Sequence, residues 1–197
     1  MAGTRDRITA TTNELFRRRG YHGTSLKDVV SGSGATTGSL YHFFPEGKVE
    51  LAEAVLLESG AAYQALFEAI YDEAGQPAEA VQAFFDGAAS VLEETDFIDL
   101  CPIGTVASEV ASTDERLRRA TAQVFSSWQA SLSSRLEDAG CSSGDAGELA
   151  TTLIATLEGS FMLARAHRDA DLVRTAGRRI RPLLESARSA SRARTRR

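Results

Sequence analysis

Residues 20–48 read GYHGTSLKDVVSGSGATTGSLYHFFPEGK, and this stretch decides the fold. Thr24 or Ser25 is suited to cap a short helix whose Leu26, Val29 and Val30 face inward, because a β-hydroxyl can accept from an N–H of the first turn. Ser31-Gly32-Ser33-Gly34 then forces a turn. Thr36 caps a second short helix running to about Phe43, and Pro45 ends it by withdrawing a backbone donor. Upstream, Thr4 to Arg19 predicts a helix with Ile8, Thr12, Leu15 and Phe16 on one side and Gly20 as its stop. Three short helices with a glycine turn between the second and third describe a helix-turn-helix.

Such a motif binds DNA by seating the N-terminal turn of its last helix in the major groove. Thr36, Thr37, Gly38 and Ser39 are small enough for close approach, and their hydroxyls can donate to phosphates or base edges. Tyr41 and His42 lie at the far end of that helix with donors for the backbone. Thr24, Ser25 and Lys27 bring hydroxyls, N–H groups and a charge to the start of the preceding helix, where a phosphate is favoured. Leu40, Phe43 and Phe44 are expected in the small domain's core.

The combination of Leu15-Phe16, Gly20-Tyr21, Gly23-Thr24-Ser25-Leu26, Gly38-Ser39-Leu40-Tyr41-His42-Phe43-Phe44-Pro45 and Lys48 resembles the DNA-binding domain of the TetR family across nearly all of the first 52 residues. The resemblance implies a phosphate contact for Lys48, a homodimer on a palindromic operator, and a small-molecule effector held by the rest of the chain. This sequence departs from the family pattern in one respect. Thr36 and Thr37 stand where a longer base-reading side chain is usual, so specificity is expected to lean on DNA shape and dimer spacing.

Net charge is −5 over 197 residues, an unpromising total for a DNA binder. Its distribution is different: residues 1–48 carry +3, residues 49–167 carry −15 and residues 168–197 carry +7. A polyanion is tolerated by the head and repelled by the body, so binding by one end is expected. Beyond Lys48 the pattern stays helical: one helix to about Asp72, a break at Gly75-Gln76-Pro77, and a helix carrying Val81, Phe84, Phe85, Ala88 and Leu92. A loop from Asp96 opens a short helix before Ala111, Thr113 caps a helix to about Ala139, and two closing helices cover about 146–168 and 170–188. The fold expected is all-α with about nine helices. Residues 1–48 form the helix-turn-helix domain, 49–188 a larger ligand-binding and dimerisation domain, and 189–197 a basic disordered tail.

In that larger domain Phe67, Phe84, Phe85, Phe97, Phe125, Trp128, Phe161 and Met162 point inward at helical spacing. A packed core accounts for most of them; an apolar cavity between helices is the reading the family resemblance adds. The segment Cys101-Pro102-Ile103-Gly104-Thr105-Val106-Ala107-Ser108-Glu109 and the run Phe44-Pro45-Glu46-Gly47-Lys48 resemble the LmrA/YxaF-like subgroup, which implies control of an adjacent efflux or enzyme gene and a response to drug- or flavonoid-like compounds. Cys101 and Ile103 thereby join the candidate ligand set; Glu109 and Glu158 join it as hydrogen-bonding groups if buried, whereas as exposed carboxylates they only solvate the surface. Pro102 and Gly104 make this helix start irregular, as a hinge requires. Leu149, Leu153, Leu157 and Phe161 on one closing helix, and Leu172, Ile180 and Leu183 on the next, are the expected dimer face.

Two other functions compete with a ligand-released repressor. A thiol-based redox sensor would use Cys101 on the same scaffold. A helical enzyme would need a catalytic constellation, yet His22, His42 and His167 are the only histidines and none sits in a Ser/His/Asp or Cys/His pattern. No enzymatic activity is expected. Cys101 and Cys141 lack metal-ligand neighbours, and no cofactor or metal is expected. The polar N-terminus and two thiols fit a reducing cytoplasm, with no membrane partner.

Overall fold

The computed structural model describes residues 3–195, with side chains as far as Ala187. Among the described residues there are nine α-helices and no strand: α1 (Thr4–Arg19), α2 (Leu26–Ser33), α3 (Thr37–Phe43), α4 (Lys48–Ala74), α5 (Pro77–Glu94), α6 (Pro102–Val110), α7 (Glu115–Asp138), α8 (Ser143–His167) and α9 (Asp171–Thr195). The expected all-helical class and helix number are those observed. The tail expected to be disordered from Ser189 has helical backbone as part of α9 as far as Thr195, and Arg196 and Arg197 lie outside the described residues.

Two compact units make up the chain, Met1–Ala62 with Asp99–Phe125, and Tyr63–Ile98 with Ser126–Arg197. None of the three boundaries falls at residue 48: α4 and α7 each contribute their first part to the first unit and the remainder to the second.

In the first unit the core is built from one face of each helix. Ile8 and Phe16 of α1, Val29 of α2, Leu40 of α3 and Leu51, Val55 and Leu56 of α4 are at most 1% exposed. They are joined by Ile103, Val106 and Val110, whose i, i+3, i+7 spacing puts them on one side of α6. Each such side chain removed from water contributes about 1.5–3 kcal/mol. Phe44 is buried as expected, but Phe43 is 37% exposed and stacks edge-on against His42 instead of entering the core, because α3 is only seven residues long and gives its buried side to Leu40.

In the second unit α9 packs on α5 and α8 through Val173, Gly177, Ile180 and Leu184, again an i, i+4, i+7, i+11 face. Two arginines of α9 fasten its rim to α5: Arg174 grips Glu93 with both guanidinium nitrogens (2.9 and 2.7 Å), and Arg181 reaches Glu79 at 2.8 Å. The later parts of α4 and α7 are joined by polar rungs. Ser127 donates to Gln64 (2.6 Å), Ser131 to Glu68 (2.6 Å) and Arg135 to Asp72 (3.3 Å), each pair separated by 63 residues in the chain. A constant offset means that the two segments run parallel and in register.

The caps follow local chemistry. Ser25, not Thr24, caps α2, and Thr36 caps α3, as their hydroxyls accept from the N–H groups of Asp28 (3.1 Å) and Ser39 (3.0 Å). At α7 the first turn is served by Asp114, whose carboxylate accepts from the Leu117 N–H at 2.9 Å; the Thr113 hydroxyl turns back to the Val110 carbonyl. Pro77 occupies the first turn of α5, where its missing donor costs nothing.

Candidate nucleic-acid interface

Ser25 and Asp28 form a reciprocal cap at the start of α2, with the Ser25 N–H and hydroxyl both donating to the Asp28 carboxylate (3.1 and 2.6 Å). Those bonds, with the hydroxyl first, hold the Asp28 carboxyl below the usual carboxylate range. Lys27 is exposed beside them. Gly34, in the left-handed region at φ 63°, ends α2 and turns the chain into α3.

On α3, Thr37 and Gly38 are exposed, and the hydroxyls of Thr36 and Ser39 lie 2.9 Å apart. A Cβ added to Gly38 would have only the Thr36 hydroxyl near it, at 3.8 Å. The protein's own packing therefore does not require glycine there. Tyr41 is 48% exposed, and His42 is exposed next to it. Lys48 opens α4 half-buried, its ammonium 4.2 Å from the centre of the Tyr21 ring. Desolvation pushes its pKa down, against an opposing pull from Glu109.

Nine of the ten residues expected at a DNA face thus sit on contiguous elements of the first unit with exposed or partly exposed side chains. Thr24 is the exception. It is 2% exposed and its hydroxyl donates to the Gly20 carbonyl at 2.8 Å, so its side chain closes the α1–α2 turn and is withdrawn from any phosphate.

The residues expected to line a ligand cavity do not all lie in one unit. Cys101, Ile103, Glu109 and Phe125 belong to the first, the other eight to the second. In the second unit Phe67 meets Phe84 edge-on at 5.5 Å and Tyr71 at 6.1 Å, and Trp128 meets Tyr63 at 6.5 Å. Phe85 is packed against α9 and only 2% exposed. Phe97 takes a left-handed backbone (φ 59°) under the guanidinium of Arg168. Glu158 and Phe161 are half-buried on α8, whereas Met162 is 69% exposed and points away from the interior. Ile103 is a fully buried packing residue of α6. Cys101 caps that helix through its sulfur, 3.5 Å from the Gly104 N–H.

Glu109 is the largest departure from expectation. Its carboxylate accepts from the His22 N–H at 2.8 Å, so it is engaged with the head's own backbone. Sequence reasoning had no access to this contact between residues 87 apart; the one trace of it is Gly20. Arg116, which pairs with both Glu46 and Glu53, was missed for the same reason.

Among the expected dimer residues, Leu153 and Ile180 are buried within the single chain (4% and 3% exposed) by α8–α9 packing. Leu149, Leu157, Phe161 and Leu172 are partly exposed, and Leu183 is 50% exposed. Leu163, which continues the expected stripe of α8, is 55% exposed, and Met162, expected inside, adds apolar surface beside it.

An all-helical chain with a capped helix-turn-helix and an exposed last-helix N-terminus is built as a DNA-binding regulator. Residues 8–55 match the bacterial regulatory proteins of the tetR family, and residues 77–179 match the C-terminal domain of LmrA/YxaF-like transcriptional regulators. The chain belongs to the TetR family and carries an LmrA/YxaF-like C-terminal domain. It is 39% identical to the helix-turn-helix-type regulator YxaF of Bacillus subtilis strain 168, itself uncharacterised, over 84% of this chain and 87% of that protein. It is 32% identical to the regulator LmrA of the same organism over 82% and 86%. A crystal structure of a TetR regulator from Legionella pneumophila superposes with a TM-score of 0.81 at 25% identity, covering 91% of this chain and 96% of that one. These relatives are transcriptional regulators, not enzymes. Among the described residues no helix is long and apolar enough to cross a membrane.

Proposed function

We propose that this protein is a cytoplasmic repressor that binds a palindromic operator as a homodimer and is released by a small apolar or aromatic effector. The observation that carries the DNA half is Gly38. It lies in the exposed first turn of α3, where the protein itself leaves room for a larger side chain, so the missing Cβ serves approach to something outside the chain. Thr37, Tyr41 and His42 on α3, with Ser25, Lys27 and Lys48 around it, are the contacts; Thr36 and Ser39 first satisfy the helix end and then offer what remains of their hydroxyls. Exposed Met162, Leu163 and Leu183 support α8 and α9 as the dimer face, and a two-fold dimer sets two recognition helices about 34 Å apart, one DNA turn. The aromatic groups Phe67–Phe84 and Trp128–Tyr63 support an effector with an apolar or aromatic body.

A ligand that prefers another spacing of the two helices shifts the population off DNA; coupling of about 1–3 kcal/mol changes affinity roughly 5- to 150-fold. Fluorescence anisotropy with a labelled duplex from the DNA beside the coding gene is the test. Binding that is salt-sensitive and several-fold tighter than to a scrambled duplex is expected; equal binding to both would rule out operator recognition.

A further inference from the structure

α6 is tied to the corner between α1 and α2 at both of its ends. Before its N-terminus, the Asp99 carboxylate meets Arg17 at 3.3 Å and Arg18 at 3.7 Å, and the Leu100 N–H donates to the Arg17 carbonyl at 3.3 Å. At its C-terminal end stands Glu109. One of its oxygens takes the His22 N–H at 2.8 Å, and the other occupies the space beside Gly20, only 1.7 Å from where a Cβ would be. Gly20 has φ 70°, so both its backbone and its surroundings exclude a side chain. Gly20 and Glu109 are thus a matched pair, the one leaving the room the other fills.

The same carboxylate acts on a second group of the head. Glu109 attracts the Lys48 ammonium, which lies over the ring of Tyr21, and that ring in turn packs edge-on against His22 at 5.3 Å. One side chain of α6 therefore touches the turn that leads into α2 and pulls on the charge that opens α4.

We propose that Glu109 is a positioning residue for DNA binding: it holds the α1–α2 turn in the arrangement that meets the phosphate backbone, and its charge acts on Lys48 from beside that turn. This rests on the DNA-binding reading above.

The test uses the full chain with Glu109→Ala and Glu109→Gln, each with Lys48 intact or as Lys48→Met, on the labelled duplex and its scrambled form, together with hydrogen exchange of the segment holding His22. Loss of the acceptor in Glu109→Ala is expected to speed exchange of the His22 amide by about tenfold or more and to weaken duplex binding by about 3- to 10-fold. Glu109→Gln keeps an acceptor and drops the charge; it should weaken binding by about 2- to 5-fold with Lys48 present and leave it unchanged in the Lys48→Met background. Should Glu109→Ala not fold, the glutamine variant carries the test alone. The proposal is overturned if exchange and affinity stay at their original values. Equal effects in both Lys48 backgrounds also overturn it, as does tighter binding by Glu109→Gln, which is the result of merely removing a negative charge near DNA. If the unaltered protein does not distinguish the duplex from its scrambled form, the DNA-binding reading fails first and this one falls with it.

Discussion

Gly177 of α9 lies so close to Phe85 of α5 that a Cβ on the glycine would come within 2.8 Å of the phenylalanine Cβ and 3.1 Å of its ring. The contact is between the stems of two side chains on packed helices, so neither can swing aside. In an isolated helix Gly177→Ala would gain about 0.8–1 kcal/mol of propensity. Here overpacking outweighs it, and a net loss of about 1–3 kcal/mol is expected. The thermal midpoint should fall by about 2–4 °C for each kcal/mol lost. A rise in the midpoint would show that α5 and α9 have slack between them.

Gly38 is expected to behave in the opposite way. With only the Thr36 hydroxyl at 3.8 Å from a new Cβ, Gly38→Ala should leave the fold as stable or raise its stability by up to about 1 kcal/mol. Duplex binding should nevertheless weaken by tenfold or so, since a methyl group at the first turn of α3 holds the backbone off the groove. Melting and anisotropy measured on the same preparation separate the two effects.

Leu183→Glu combined with Met162→Glu tests the proposed dimer face. Both side chains are more than half exposed or at that limit (50% and 69%), so charging them should leave the chain folded and convert a dimer to a monomer in sedimentation at micromolar concentration. Leu153→Glu is the contrasting variant. At 4% exposure it buries a charge within the chain, and loss of folding rather than simple dissociation is expected.

Acid sensitivity follows from the depressed carboxylates. Hydrogen bonds from Ser131, then from Gln64, hold Glu68 below its ordinary value of 4.5, and bonds from Arg118 and Arg119 bring Glu115 down to about 2. A carboxylate whose pKa is lowered by folding adds stability above its unfolded pKa and loses it as pH falls through the folded one. The thermal midpoint should therefore hold above about pH 5 and decline between about pH 4.5 and pH 2. Glu68→Gln should shallow that decline; an unaltered profile would mean that the rungs on α7 do not favour the ionised form.

What the sequence disclosed and what it hid differ in physical kind. The helix-turn-helix was legible because its signals are local: the hydroxyl of Ser25 or Thr36, the left-handed Gly34 and the ring of Pro45 act within a turn of themselves. Locality also explains the small misplacements. Thr113 and Asp114 are both competent caps, and only the geometry of the first turn assigns the role to the carboxylate. Phe43 reads as core by composition, yet a seven-residue helix has room for one strongly buried position, and Leu40 takes it. The candidate ligand and dimer residues were harder, since an apolar stripe does not say which neighbour covers it: Met162 was placed inward and is exposed, Leu153 was placed at a dimer face and is internal. For the contact made by Glu109 the one trace is Gly20, far off in the chain. An acidic residue on a short helix is ordinarily solvated, and nothing near it in the chain shows that its donor is the amide of His22.

The rungs joining Ser127 to Gln64, Ser131 to Glu68 and Arg135 to Asp72 carry a consequence for how such chains can vary in length. All three depend on one spacing of 63 residues. A single residue inserted into either helix would turn everything beyond it by about 100° and break the remaining rungs together, whereas any one substitution breaks only its own. This pair of helices works like a ratchet with fixed teeth: point changes are tolerated one at a time, but gains and losses of sequence are pushed out to the connecting turns.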